Sequence, residues 1–111
     1  MTIRRAVTLS IGDELLAGET LDTHGRTIAS ALTARGCRVI EHRVLGDDAS
    51  GIASAIESAA SSADLVVITG GLGPTLDDVS REALAEAMNE ALVEDGEARA
   101  HLDRWYAGRG R

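Results

Sequence analysis

Three short runs in this chain set glycine beside acid: Gly12-Asp13-Glu14, Gly46-Asp47-Asp48, and the longer Gly70-Gly71-Leu72-Gly73-Pro74-Thr75-Leu76-Asp77-Asp78. Carboxylates hold divalent cations, and clustered glycines let backbone amides approach an anion, because glycine adopts positive φ without steric cost. The loop Gly70, Gly71, Leu72, Gly73, Pro74, Thr75 therefore reads as a phosphate cradle opening onto a helix, with the Thr75 hydroxyl donating to phosphate or capping the first turn. Acids at the same rim would repel a bare phosphate. A Mg²⁺ ion bridging carboxylate and phosphate oxygens removes that conflict, since magnesium typically uses roughly one or two protein carboxylates plus substrate phosphates.

Each piece also has a purely structural reading. Glycine after a strand is turn chemistry, Asp47 or Asp48 caps a helix, and Thr75 with Asp78 fits a Ser/Thr-x-x-acid capping box. Any single acid is better read that way, Asp13 above all. Capping does not account for the glycine excess of the last loop, so the three turns together point to a site.

The elements that must position these turns follow from hydrophobic periodicity. Ala6 to Ile11 reads as a strand covered on both faces, Cys37 to Leu45 as a strand nearer the sheet edge, and the apolar run Leu65 to Thr69 as a central parallel strand. Leu21, Ile28 and Leu32 mark a first helix with Asp22 or Thr23 as N-cap and Gly36 at its end; Ile52, Ala55, Ile56, Ala59 and Ala60 mark a second. Val79, Ala83, Leu84, Ala87 and Met88 make a third, and Ala98, Leu102, Trp105 and Tyr106 a fourth stripe read as core or interface. Strands alternating with helices imply right-handed crossovers and a parallel sheet, a three-layer α/β/α arrangement. In such sheets ligands bind outside the carboxyl ends of the strands, where all three acidic turns lie.

Composition narrows the chemistry. The 111 residues suit a single domain, 1–111, and with no Phe the core is built from Ala, Val, Leu and Ile. All 11 basic residues are Arg, which excludes a P-loop lysine and Schiff-base chemistry. A net charge of −7 without an arginine cluster argues against a nucleic-acid partner. The lone Cys37 permits no intrachain disulfide and reads as a buried small hydrophobe. No signal-peptide core or membrane-length apolar run is present, so a cytoplasmic protein is expected. His24, His42 and His101 fall at unrelated spacings and read as solvated or hydrogen-bonded, not as metal ligands, and Arg81 reads as a surface residue within reach of a phosphate.

Gly12-Asp13-Glu14-Leu15-Leu16-x-Gly18, Asp22-Thr23 and Thr69-Gly70-Gly71-Leu72-Gly73-Pro74-Thr75-x-Asp77-Asp78 resemble the N-terminal domain of the competence/damage-inducible protein A family. The order of elements is similar to the wider molybdopterin-binding family of MoaB, Mog and gephyrin G-type domains. The resemblance implies that the glycine loop, with Asp77 and Asp13 beside it, holds molybdopterin or an adenine nucleotide. It also implies that Asp47 and Asp78 support Mg²⁺-dependent phosphoanhydride chemistry, either adenylylation of molybdopterin or hydrolysis of ADP-ribose. It further implies a homo-oligomer. Ser80 stands where the family has Thr, and Asn89-Glu90-Ala91 lacks the family's glycine turn. The family domain continues beyond Arg111, so a C-terminally incomplete domain is expected, and with it an alternative: a non-catalytic module that completes its sheet through a partner chain.

Overall fold

The computed structural model describes residues 3–73, 75 and 78–108. Its elements run β1 (Arg5–Ile11), α1 (Asp13–Leu16), α2 (Thr23–Ala34), β2 (Arg38–Leu45), α3 (Ala49–Ser62), β3 (Leu65–Thr69), α4 (Ser80–Met88) and α5 (Gly96–Ala107). The strands form a parallel sheet in the order β2-β1-β3. Among the described residues β1 is thus the central strand and β3 lies beside it, half-buried, which differs from the central placement expected for Leu65 to Thr69. An uninterrupted apolar run reports cover on both faces of a strand; it carries no information about how many strands flank it.

Alternation along β1 divides the molecule into layers. Val7, Leu9 and Ile11 face α3 and join Ile52, Ala55, Ile56, Ala59 and Ala83 in the core. Thr8 and Ser10, also buried, face α2. Small alanines on α3 let it lie close to the sheet and to α4, so a core without Phe closes using aliphatic side chains alone.

Helix starts follow capping chemistry. Asp22 accepts from the Gly25 amide at 3.0 Å to start α2, and Asp48, the second of its pair, accepts from Gly51 at 3.2 Å to start α3. Asp95 caps α5 through the Glu97 and Ala98 amides. Helix α4 begins only at Ser80, with Val79 at its N-cap and no side-chain cap, so the Thr75–Asp78 pair does not open that helix. At its far end Asn89 adopts φ 54°, taking the left-handed position where glycine is commonest.

The one-turn helix α1 and the exposure of α5 were not expected. Helix α5 buries none of its residues; Trp105 and Tyr106 are 44% and 43% exposed and meet edge to face, so they are not core. Cys37 is half-buried rather than sealed in the interior. No helix among the described residues is long and apolar enough to cross a membrane.

Candidate functional site

The chain order fixes where a cleft must open. From β1 the chain moves to β2 on one side, then crosses back to β3 on the other, so the connections diverge between the carboxyl ends of β1 and β3. Such a switch point is where parallel α/β sheets bind ligands. A cavity of about 320 Å³ lies there, walled by Ile11 and Thr69-Gly70 from the strand ends, Glu14 and Leu15 from α1, and Thr20 to His24 from the segment entering α2. Its size is at the lower end of small-molecule sites, which span about 300–1,000 Å³.

Gly70 and Gly71 follow β3 with φ of 88° and 68°, a region disfavoured for any other residue. A Cβ on Gly70 would overlap the Ile11 carbonyl oxygen, and one on Gly71 the Ser80 hydroxyl. Ser80, 3% exposed, braces the loop twice: its hydroxyl donates to the Gly70 carbonyl at 2.7 Å and its amide to the Gly71 carbonyl at 3.1 Å. The first amide of α4 is therefore turned to the loop itself. The amides of Gly70, Gly71 and Leu72 donate to no acceptor among the described residues.

Asp78 folds back across the loop. Its carboxylate accepts from the Thr75 hydroxyl and from the Thr75 amide at 3.2 Å, and the Arg81 guanidinium reaches the Gly73 carbonyl at 3.5 Å. The Thr75 hydroxyl is the main reason the Asp78 carboxyl sits below its ordinary value, aided, against some desolvation, by the Thr75 and Gly73 amides and the Arg81 charge. Pro74 and Asp77, also candidates from the sequence, lie outside the described residues.

The other acidic turns are joined to each other. The Asp47 amide donates to Asp13 Oδ1 at 2.9 Å, and the Asp13 amide donates to Asp47 Oδ2 at 3.3 Å. Asp13, the least persuasive acid in the sequence, is thus the partner that ties the β1 turn to the β2 turn. Among the described residues no group of three or more His, Cys, Asp or Glu side chains is arranged to hold a metal ion.

Sequence reasoning missed the α2 wall of the cleft. Asp22 Oδ1 accepts from Ser10 Oγ at 2.9 Å as well as from Gly25, and Asp22 Oδ2 accepts from His42 Nε2 at 2.6 Å. Desolvation raises the Asp22 carboxyl, but these hydrogen bonds and the nearby imidazole outweigh it and leave the group below its ordinary value. The sequence signals were the position of Asp22 as an N-cap and its place in the Asp22-Thr23 pair.

Comparison with known proteins agrees with this architecture. A family model described as a probable molybdopterin binding domain matches residues 7–109. A CinA-like protein of Citrifermentans bemidjiense is 48% identical over 101 residues, 91% of this chain and 24% of that protein. A Lysinibacillus sphaericus protein that carries the name competence-damage inducible protein is 41% identical over 103 residues, 93% of this chain and 25% of that protein. The chain therefore spans about a quarter of the length of these curated relatives. Among solved structures, CinA from Thermoplasma acidophilum superposes with a TM-score of 0.89 at 35% identity, covering 95% of this chain and 62% of that one. The molybdopterin biosynthesis enzyme MoaB of Thermus thermophilus gives 0.71 at 26% identity, over 76% of this chain and 54% of that one. With the fold, the glycine loop and the switch-point cleft all in place, the chain belongs to the molybdopterin-binding domain family, on the side of its CinA-like members.

Proposed function

We propose that this domain binds a phosphate-bearing pterin or nucleotide, with the phosphate on the Gly70–Thr75 loop and the organic part in the cleft between β1 and β3. The observation that carries the reading is the run of amides at Gly70, Gly71 and Leu72, without an acceptor among the described residues, beside a cavity of about 320 Å³. Glycine-rich turns presenting successive amides suit anions.

In this reading Asp47 and Asp78 are the acids that support magnesium and the phosphoanhydride chemistry. Their donor set suits Mg²⁺ better than a metal needing a closed protein cage, because magnesium keeps water and phosphate oxygens as ligands. When bound, the ion would neutralise charge building on the phosphoanhydride. The chain's own residues do the rest: loop amides hold phosphate oxygens, Asp13 orients Asp47 through their paired hydrogen bonds, and Ser80 keeps the loop open.

Isothermal titration with molybdopterin, ATP and ADP-ribose, each with and without Mg²⁺, tests the proposal. Saturable binding of at least one ligand, strengthened by Mg²⁺ and weakened by Asp47→Asn, is the expected result. A folded chain that binds none of them would defeat it. A second reading, assembly through a partner chain, draws on β3, which pairs only with β1 among the described residues and so leaves an edge open to another strand. Light scattering distinguishes it, since a chain that stays monomeric at high concentration contradicts assembly with its own copies.

A further inference from the structure

The α2 side of the sheet carries a hydrogen-bonded chain that the pattern of glycines and acids does not include. A register shift between Ala6 and Val7 makes Ile40 the extra residue on β2 and sets His42, rather than Glu41, opposite Thr8. Bulges commonly re-aim side chains in this way. Thr8 Oγ1 is hydrogen-bonded to His42 Nδ1, His42 Nε2 to Asp22 Oδ2, and Asp22 Oδ1 to both Ser10 Oγ and the Gly25 amide. A carboxylate only accepts, so Nε2 carries a proton and donates it to Asp22, while Nδ1 pairs with the Thr8 hydroxyl.

Hydroxyl, imidazole and carboxylate in sequence have the order of a nucleophile triad, yet Thr8 is only 2% exposed and no substrate can reach it. The accessible end is Asp22, which lines the cleft. Helix α2 is also shaped to admit the ring. A Cβ on the buried Gly25 would lie 2.5 Å from His42 Cε1 and 2.7 Å from Asp22 Oδ2, so a glycine, unfavourable inside a helix, stands where the imidazole seats.

We propose that His42 is a positioning residue: seated between Thr8 and Gly25, it holds the Asp22 carboxylate at the cleft wall to receive a hydrogen-bond donor from the non-phosphate part of the ligand. A carboxylate offers about four acceptor positions, and the protein occupies three of those on Asp22, leaving room for one more bond. The fitting ligand groups are a sugar hydroxyl or a ring amino group. This rests on the cleft reading above and adds the residue that sets its selectivity.

The test compares two probes by isothermal titration: ADP-ribose, which would occupy loop and cleft, and inorganic pyrophosphate, which reaches the loop alone. In His42→Ala, ADP-ribose affinity is expected to fall roughly tenfold, the scale of a hydrogen bond to a charged group, while pyrophosphate affinity is unchanged. His42→Gln, whose amide can accept from Thr8 and donate to Asp22, restores most of the loss. In the ligand-free chain, the Asp22 carboxyl carbon observed by NMR titrates at higher pH in His42→Ala than in the parent. Should His42→Ala fail to fold, His42→Asn, too short to span both partners, takes its place with the same outcomes expected. Unchanged ADP-ribose affinity, a parallel loss for pyrophosphate, no rescue by Gln, or an unshifted Asp22 titration each overturns the role of His42 while leaving ligand binding intact. A parent chain that binds neither probe overturns this inference, and the binding reading falls with it only where molybdopterin and ATP also fail to bind.

Discussion

The two walls of the cleft treat polar groups in opposite ways. On the α2 side, Asp22 accepts three hydrogen bonds and each of its partners is anchored in β1, β2 or α2. On the loop side, the amides of Gly70, Gly71 and Leu72 have no acceptor among the described residues, and the loop is held from behind by Ser80 through carbonyls instead. The contrast separates two tasks. A network whose hydrogen bonds are already made costs little to order on binding, whereas donors without a protein acceptor exchange water for an anion when one arrives. The cleft thus has a fixed wall and a receptive one.

The sharpest way to break this arrangement is at Gly70. Gly70→Ala places a Cβ against the Ile11 carbonyl oxygen at a φ of 88°, so the loop must detach from β1 or carry the strain. A loss of about 2–4 kcal/mol is expected from strain and overlap together, read as a lower urea midpoint at unchanged m-value, with loss of phosphate binding. Gly18 supplies the control, since its φ is 78° but nothing lies within 4 Å of the place a methyl group would take. Gly18→Ala should cost only the left-handed penalty of about 1–2 kcal/mol. Equal losses at the two sites would mean that contact with Ile11 does not matter.

Ser80→Ala removes the support behind the receptive wall without touching its amides. The Gly70 carbonyl loses its 2.7 Å partner, for an expected cost of about 1–2 kcal/mol. Ser80→Thr, which keeps the hydroxyl, should recover part of it. If phosphate affinity falls no more in the Ala variant than its stability loss explains, Ser80 supports the fold and not the loop's shape.

These two walls were not equally legible in the sequence. The glycine loop announces itself by composition, and strand ends followed by glycine and acid were enough to place Asp13, Asp47 and the loop along one edge of the sheet. Local signals also located Asp22 and Asp48 as caps. What periodicity could not express was long-range pairing: Asp13 with Asp47, Ser10 with Asp22, and His42 with both Thr8 and Asp22. The last depends on one extra residue at Ile40, since without it Glu41 would stand opposite Thr8. Strand order differs from expectation for a related reason, because an apolar run such as Leu65 to Thr69 looks alike whether one or two strands flank it. Thr75 and Asp78 were recognised as partners, but their contact closes a turn ahead of α4, which starts at Ser80.

The walls should also part company in acid. The Asp22 carboxyl sits below its ordinary value of 3.8 because hydrogen bonds from His42, Gly25 and Ser10 outweigh the opposing desolvation. The folded chain therefore binds that proton more weakly than the unfolded chain does. Its contribution to stability is fully present above 3.8 and is lost as pH falls through the lower, folded value. Asp78 is shifted the same way, chiefly by the Thr75 hydroxyl, but in an exposed turn where solvent weakens the effect. Urea melts from about pH 5 to about pH 2 should show a decline that flattens in Asp22→Asn and persists in Asp78→Asn. The reverse result would make the loop, not the α2 wall, the acid-sensitive element.

The smallest effect is expected furthest from the cleft. Helix α5 buries no residue, and Leu102 is 50% exposed on the stripe that it shares with Trp105 and Tyr106. Leu102→Ser should shift stability by no more than about 0.5 kcal/mol, as exposed substitutions do, and should leave both probes' affinities alone. Thermal melts at several protein concentrations make the measurement decisive. A monomer in which α5 lies open to solvent gives the same small shift at every concentration. A larger loss that disappears on dilution would instead identify this stripe as a surface that joins copies of the chain, because association stabilises by mass action and its removal is felt only where association occurs.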